Sequence, residues 1–292
     1  MKQIAIIGPT ASGKTGLAID MAYQTNSVIL SLDSLSVYKE IDIASAKPTK
    51  EERGEIIHFG IDEVYPNETF DVMEFLNCYQ KAYDYAKQNN NNLIIVGGTG
   101  FYLKILIEGM SVGVDSKEPM DISCEEAYKL LLNLDPVYMQ KIEQNDKYRI
   151  EKAYMIYKHS QLSPTEFFLQ NPKKPIVPDL PIFEIMWDTQ ELRERIKLRT
   201  KLMIQEGVID EVMRLEKKYT RLPNCMSSIG IIETLGYLDG KLTKDELEEK
   251  ISTNTARLAK RQRTFNRSQF HDKQTKNIIT SLNSDILKYF SL

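Results

Sequence analysis

Gln3–Ile7 and Leu93–Val96 are short apolar runs, rich in β-branched residues, that do not alternate with polar positions. A strand with one wet face alternates, whereas a strand covered on both faces does not. Both runs therefore predict buried strands, the first stopped by Gly8-Pro9 and the second by Gly97-Gly98. Val28–Leu32 predicts another buried strand, ending at Asp33, and Ile56–Ile61 a further one. The period changes between them. After Gly13, Leu17, Ala18, Met21 and Ala22 fall on one face of a helix reaching about Tyr23, and Phe70–Gln88 reads as an amphipathic helix. The order strand, helix, strand, strand, helix, strand predicts an α/β fold with right-handed crossovers and a parallel sheet covered on both faces.

Past Gly109 the strand signals stop. From Ser111 to Lys174 the pattern predicts helices only: Glu125–Leu134, Pro136–Glu143, Asp146–Lys158 and a short one from Pro164. Ile182–Met186 reads as a strand returning to the core. Helices follow at about Thr189–Tyr219, Ile229–Leu238 and Lys244–Arg267, with Gly240 and Thr243 as stop and N-cap between the last two. The expected organisation is an α/β core from residues 1–110 and 180–292 with C-terminal helices, and a helical insertion at 111–179.

Composition narrows the class little. The chain has 292 residues, 42% hydrophobic and 27% charged, with a formal net charge of −3. That balance neither demands nor excludes nucleic acid, so local clustering matters more. Cys78, Cys124 and Cys225 form no CxxC pair, and His58, His159 and His271 are scattered, so no zinc site is expected. No apolar stretch reaches the ~18 residues of a membrane span. The protein is expected to be cytoplasmic and monomeric.

The chemistry begins at Gly8-Pro9-Thr10-Ala11-Ser12-Gly13-Lys14-Thr15. This G-x-x-x-x-G-K-T loop follows an apolar strand and precedes a helix, as a P-loop must. Its N–H groups and the helix N-terminus cradle phosphates, Lys14 neutralises charge and the Thr15 hydroxyl ligates Mg2+. A P-loop alone does not name a reaction. Asp33, at the exit of the second strand, lies where α/β sheets bind ligands, as a magnesium ligand through water, a general base, or a cap for the next turn. Lys47, ahead of Pro48, adds a second cation. At the fourth strand's exit Gly97 and Gly98 are read as permitting close approach to a ligand, and Thr99 offers a hydroxyl. An acid, frequent there in NTPases, is missing.

GPTASGKT, DSLSVYKEIDIASAKPT and VGGTGFYL, in this order, closely resemble the bacterial tRNA dimethylallyltransferases (tRNA isopentenyltransferases). Asp135-Pro136, Asn145-Asp146-x-x-Arg149-Ile150, Arg195-Ile196-x-x-Arg199, Gly207–Val212, Ser228-Ile229-Gly230 with Glu233, and Ala259-Lys260-Arg261-Gln262 match further family elements, over about 90% of the chain. The resemblance implies a P-loop NTPase-like core and transfer of a dimethylallyl group from dimethylallyl diphosphate to N6 of an adenosine beside the tRNA anticodon. It implies that Asp33 is the general base, and that Thr99 lines the channel where adenine and allyl group meet. Lys14, Thr15 and Arg199 would hold diphosphate and Mg2+. The anticodon stem-loop would meet Asp33, Ser34, Leu35, Ser36, Lys47, Arg257, Lys260, Arg261, Gln262 and the helical insertion. The adenine would flip from its stack to reach the donor.

The chain departs from the family at Ser36, where the family has Gln, at Ala256, where it has Arg, and at Ile231, where it has Tyr. These changes touch RNA contacts more than the phosphate loop. The competing class is a P-loop kinase of a small metabolite or nucleoside, which should carry an Arg-rich lid; residues 111–174 hold only Arg149. A nucleotide-switched binding protein would need the missing acid after the fourth strand.

Overall fold

The computed structural model describes residues 1–111, 118–276 and 279–291. The part of the expected insertion at 112–117 lies outside the described residues. By internal contacts the chain divides into two units: Met1–Lys104 with Asp179–Leu292, and Ile105–Pro178.

The larger unit is built on a six-stranded, all-parallel sheet. In chain order its first half runs β1 (Gln3–Ile7), α1 (Lys14–Thr25), β2 (Ser27–Leu32), α2 (Lys50–Arg53), β3 (His58–Phe59), α3 (Val72–Gln88), β4 (Asn92–Gly97) and α4 (Gly100–Glu108), whose last turn crosses the division. The spatial order places β1 beside β4, and β4 beside β2. Ile4, Ala5, Ile6, Leu93, Ile94 and Ile95 are fully buried, which accounts for their unalternating pattern. Each buried isoleucine contributes about 1.5–3 kcal/mol. β1 and β4 end level, Ile7 opposite Gly97, and β2 ends level with them at Leu32. The loops after all three strands thus emerge at one edge.

The smaller unit is helical among its described residues: α5 (Cys124–Leu134), α6 (Pro136–Met139), α7 (Lys147–Ser160) and α8 (Pro164–Gln170). Ala127, Leu131, Met139, Ile150 and Ala153 form its core. Asp135 joins it locally, one carboxylate oxygen accepting from Tyr138 N at 3.0 Å and the other from Thr165 N at 2.7 Å.

The chain then returns as β5 (Ile182–Ile185), α9 (Thr189–Glu206), α10 (Val208–Tyr219), a 3-10 turn (Asn224–Ser227), α11 (Ile231–Leu238), α12 (Lys244–Gln269), β6 (Gln274–Lys276) and α13 (Ile279–Ser291). The single helix expected over Thr189–Tyr219 is two. Gly207, at φ +99°, ends one and starts the next. The strand expected at Ile56–Ile61 keeps only His58 and Phe59. β6 and α13 are additional; Leu282 and Ile286 of α13 pack into the core around α1. Thr243 caps α12, its hydroxyl accepting from Glu246 N at 3.3 Å. Among the described residues no helix is long and apolar enough to cross a membrane.

Candidate active site

The phosphate loop is held in a costly shape by residues from far along the chain. Ala11 sits at φ +64° and Gly13 at φ +87°, a region only glycine enters freely. A Cβ on Gly8 would lie 2.9 Å from Ser12 Oγ and 3.0 Å from Ile185 O, so the loop folds back over its own start. Four side chains brace it. Trp187 Nε1 donates to Ser12 O at 2.9 Å, and Arg195 Nε donates to Ala11 O at 2.8 Å while stacking on the Trp187 ring. Arg199 Nη1 donates to Thr10 Oγ1 at 2.9 Å, and Gln262 Oε1 accepts from Thr10 N at 2.8 Å. The cost of Ala11's backbone is met by this surrounding network.

Lys14 Nζ donates to Pro9 O at 3.2 Å. Burial pulls the Lys14 ammonium down to about 8; the nearby Asp33 carboxylate opposes this and Arg199 adds to it. Arg199 is lowered by the same burial and supported by Asp33. Two cations and one carboxylate thus share a single electrostatic environment. Asp33 Oδ1 accepts from Leu35 N at 2.8 Å and Ser36 N at 3.1 Å, so one oxygen caps the turn. Oδ2 has no hydrogen bond among the described residues. Ser34 is exposed, Leu35 half-buried and Ser36 buried.

Gly97, the last residue of β4, and Gly98 leave room that the protein's own atoms fill. A Cβ on Gly97 would fall 2.5 Å from Leu32 O, and one on Gly98 would fall 2.4 Å from Gln262 Nε2. What approaches here is the protein itself: the end of β2 and a side chain of α12. Thr99 N then donates to Leu32 O at 3.0 Å, which ties Thr99 to the strand that carries Asp33.

A cleft of about 620 Å³ is lined by Lys14, Thr15, Asp33, Thr99, Arg199 and Arg261, with apolar walls that include Ile196, Met203 and Phe265. A second space of about 690 Å³ shares Lys14, Thr15 and Arg199 with it. Phe101, 52% exposed, also lines the cleft.

Lys47 is not a free cation. Its buried ammonium lies 2.7 Å from Asp42 Oδ1 and 2.5 Å from Asp62 Oδ1, and it donates to Tyr38 O at 3.0 Å. Gln262 spends its carbonyl on the phosphate loop. Arg257, Lys260 and Arg261 are exposed on α12. Of the family departures, Ile231 is fully buried in a hydrophobic core, and Ala256 packs in the α9–α12 seam.

Trp187 and Glu211 carry site architecture that no role was assigned to from sequence. Glu211, 2% exposed, accepts from the backbone N–H of Asp42, Ile43 and Ala44 at 2.8–2.9 Å, fixing the loop that carries Lys47. Its signal was present, in Gly207–Val212, but three backbone partners some 170 residues away are invisible to local pattern.

For Mg2+ the residues present fit in a restricted way. Thr15 faces both spaces beside Lys14, while no group of three or more His, Cys, Asp or Glu side chains suited to a metal occurs among the described residues. Magnesium is commonly held by one or two protein groups, substrate phosphates and water, so this donor set is compatible with it.

A parallel sheet with a braced P-loop after β1 and a carboxylate at the exit of β2, two strands away, defines an enzyme of the P-loop class. Residues 36–269 match the family described as IPP transferase, and the chain belongs to that family of prenyltransferases. It is similar to the tRNA dimethylallyltransferase of Aliarcobacter butzleri (strain RM4018), 66% identical over 292 residues and covering 100% of each chain. That of Sulfurovum sp. (strain NBC37-1) is 52% identical, over 99% of this chain and 98% of the other. The full-length tRNA isopentenylpyrophosphate transferase from Bacillus halodurans superposes with a TM-score of 0.75 at 26% identity, over 99% and 97% of the two chains. A eukaryotic dimethylallyltransferase acting on tRNA shares the fold, with a TM-score of 0.84 at 22% identity, over 99% of this chain and 77% of that one.

Proposed function

We propose that this chain transfers a dimethylallyl group from dimethylallyl diphosphate to N6 of an adenosine beside the tRNA anticodon. The names of its relatives support the substrates. The observation that carries the chemistry is the convergence of Lys14, Arg199 and Asp33 on one cleft. N6 attacks C1 of the donor, the C1–O bond breaks, and diphosphate leaves with the electron pair. Lys14 and Arg199 sit where that charge collects, and preorganised cations there lower the barrier. Asp33 Oδ2 takes the proton that N6 loses. When bound, Mg2+ on Thr15 and the diphosphate would add Lewis-acid stabilisation of the leaving group.

Thr99 positions the reacting groups from the neighbouring strand, and Phe101 offers a ring for the flipped base. Ser34–Ser36 contact the base, and the exposed Arg257, Lys260 and Arg261 meet the RNA backbone. The helical insertion at 111–179 contacts the tRNA as well. Incubating purified protein with Mg2+, labelled dimethylallyl diphosphate and unmodified tRNA should place label in the tRNA. No transfer, alongside ATP-dependent phosphorylation of a metabolite, would replace this reading with a kinase.

A further inference from the structure

We infer that the groove between α9 and α12 is a track for an RNA phosphate backbone, leading the strand away from the cleft around the outside of α12. This rests on the tRNA reading above. α12 has two working faces. Ile251, Leu258, Gln262 and Phe265 line the cleft. The other face, with α9, walls a groove of about 930 Å³.

Besides Lys273, six cations line that groove: Arg193 and Lys197 from α9, and Arg257, Lys260, Arg263 and Arg267 from α12. None of the six is in an ion pair among the described residues. Arg263 and Arg257 donate only to neutral partners, Thr189 Oγ1 at 3.0 Å and Asn254 Oδ1 at 3.2 Å. The one carboxylate in the lining, Glu184, is 2% exposed. It is paired with Lys273 Nζ at 3.3 Å and accepts from Asn266 Nδ2 at 2.9 Å. The groove is therefore strongly positive on a chain whose formal net charge is −3.

Its extent and continuity point to a polymer. Arg257 to Arg267 is ten residues, about 15 Å of helix, which exceeds one phosphate or one diphosphate and suits a run of nucleotides. A shallow depression of about 840 Å³ shares Arg261 and Phe265 with the cleft, and Arg257, Lys260 and Thr264 with the groove. A strand with its adenosine in the cleft can follow cationic surface without interruption. Such contacts fix register and supply affinity without reading sequence.

The test is a salt series of tRNA binding to wild type and to the Arg193→Gln/Lys197→Gln double variant, with a parallel titration by pyrophosphate. Both side chains are exposed and neither lines the cleft. Expected are a slope of log affinity against log salt shallower by about 1 to 2, tRNA binding about tenfold weaker at low salt, and unchanged pyrophosphate binding. Unchanged slope and affinity overturn the track and leave the tRNA reading standing. Weaker pyrophosphate binding with unaltered tRNA binding would assign the groove to a small anion, and overturns it equally. Absence of tRNA binding by wild type would instead remove the reading underneath.

Discussion

The two cationic regions of this protein are built on opposite terms. At the phosphate loop, Lys14 and Arg199 are desolvated, their proton affinities lowered, and their surroundings braced by Trp187, Arg195 and Gln262. On the outer face of α12, Arg257, Lys260 and Arg267 stand in solvent with no carboxylate partner among the described residues. A charge in a dry, preorganised site acts strongly on a bond being broken. An exposed one is screened within about 8–10 Å at ordinary salt and serves a long polyanion by number. The difference separates chemistry from docking within one helix, since α12 sends Gln262 to one region and Lys260 to the other.

Asp33→Ala gives the largest expected effect. Transfer should fall at least about a hundredfold while diphosphate binding stays within a few-fold, in single-turnover and binding measurements. Loss of donor binding instead would give Asp33 a role on the metal.

Lys14→Met should lower kcat/KM for the donor by up to about a hundredfold. The wild type carries a pH signature of the same residue. Its proton affinity, reduced to about 8 in the free protein, should be restored by the diphosphate charge. Donor binding should therefore take up a proton above about pH 8 and weaken as pH rises further, which calorimetry in buffers of different ionisation enthalpy reads directly. For stability the sign is opposite to that of a paired lysine. Between about 8 and the ordinary 10.5 the unfolded chain holds more protons, so Lys14's contribution to stability rises with pH across that window.

Gln262→Ala sharpens the boundary. Losing the acceptor for Thr10 N should cost about 1–3 kcal/mol of loop order and raise the donor KM about tenfold. A rise confined to the tRNA KM would move Gln262 to the docking side. Lys260→Gln is the smallest change: a few-fold in tRNA affinity at low salt, vanishing at high salt. An effect that persists at high salt would mean the outer face is not screened as described.

Much of this was legible in the sequence for physical reasons. β1, β2 and β4 are doubly covered, and their apolar runs say so. The P-loop's spacing marks the turn, and Asp33's position at a strand exit marks a site. The break at Gly207 was missed because one glycine in a helical period is tolerated, and only its φ of +99° shows that it ends a helix. β6 is three polar-leaning residues, too short for any period to appear. α13 does carry a helical stripe, Leu282 to Ile286, but nothing local says that it packs near α1. Lys47 reads in the sequence only as a second cation, because its partners, Asp42 and Asp62, are brought to it by the folded loop. The roles of Gln262, Trp187 and Glu211 are long-range contacts, outside the reach of any motif.

The bracing of the phosphate loop has a consequence for biosynthesis. Gly8–Thr15 leaves the ribosome early, yet Ser12 waits for Trp187, 175 residues on, and Thr10 for Gln262, 252 residues on. At ~5–20 residues per second that interval is roughly 13–50 s. Until Trp187, 175 residues past Ser12, is made, the nascent chain holds a substrate-gripping segment with none of its supports. The loop is made before its braces and becomes competent only after them, so a ribosome-bound fragment lacking α12 should be unable to grip the donor.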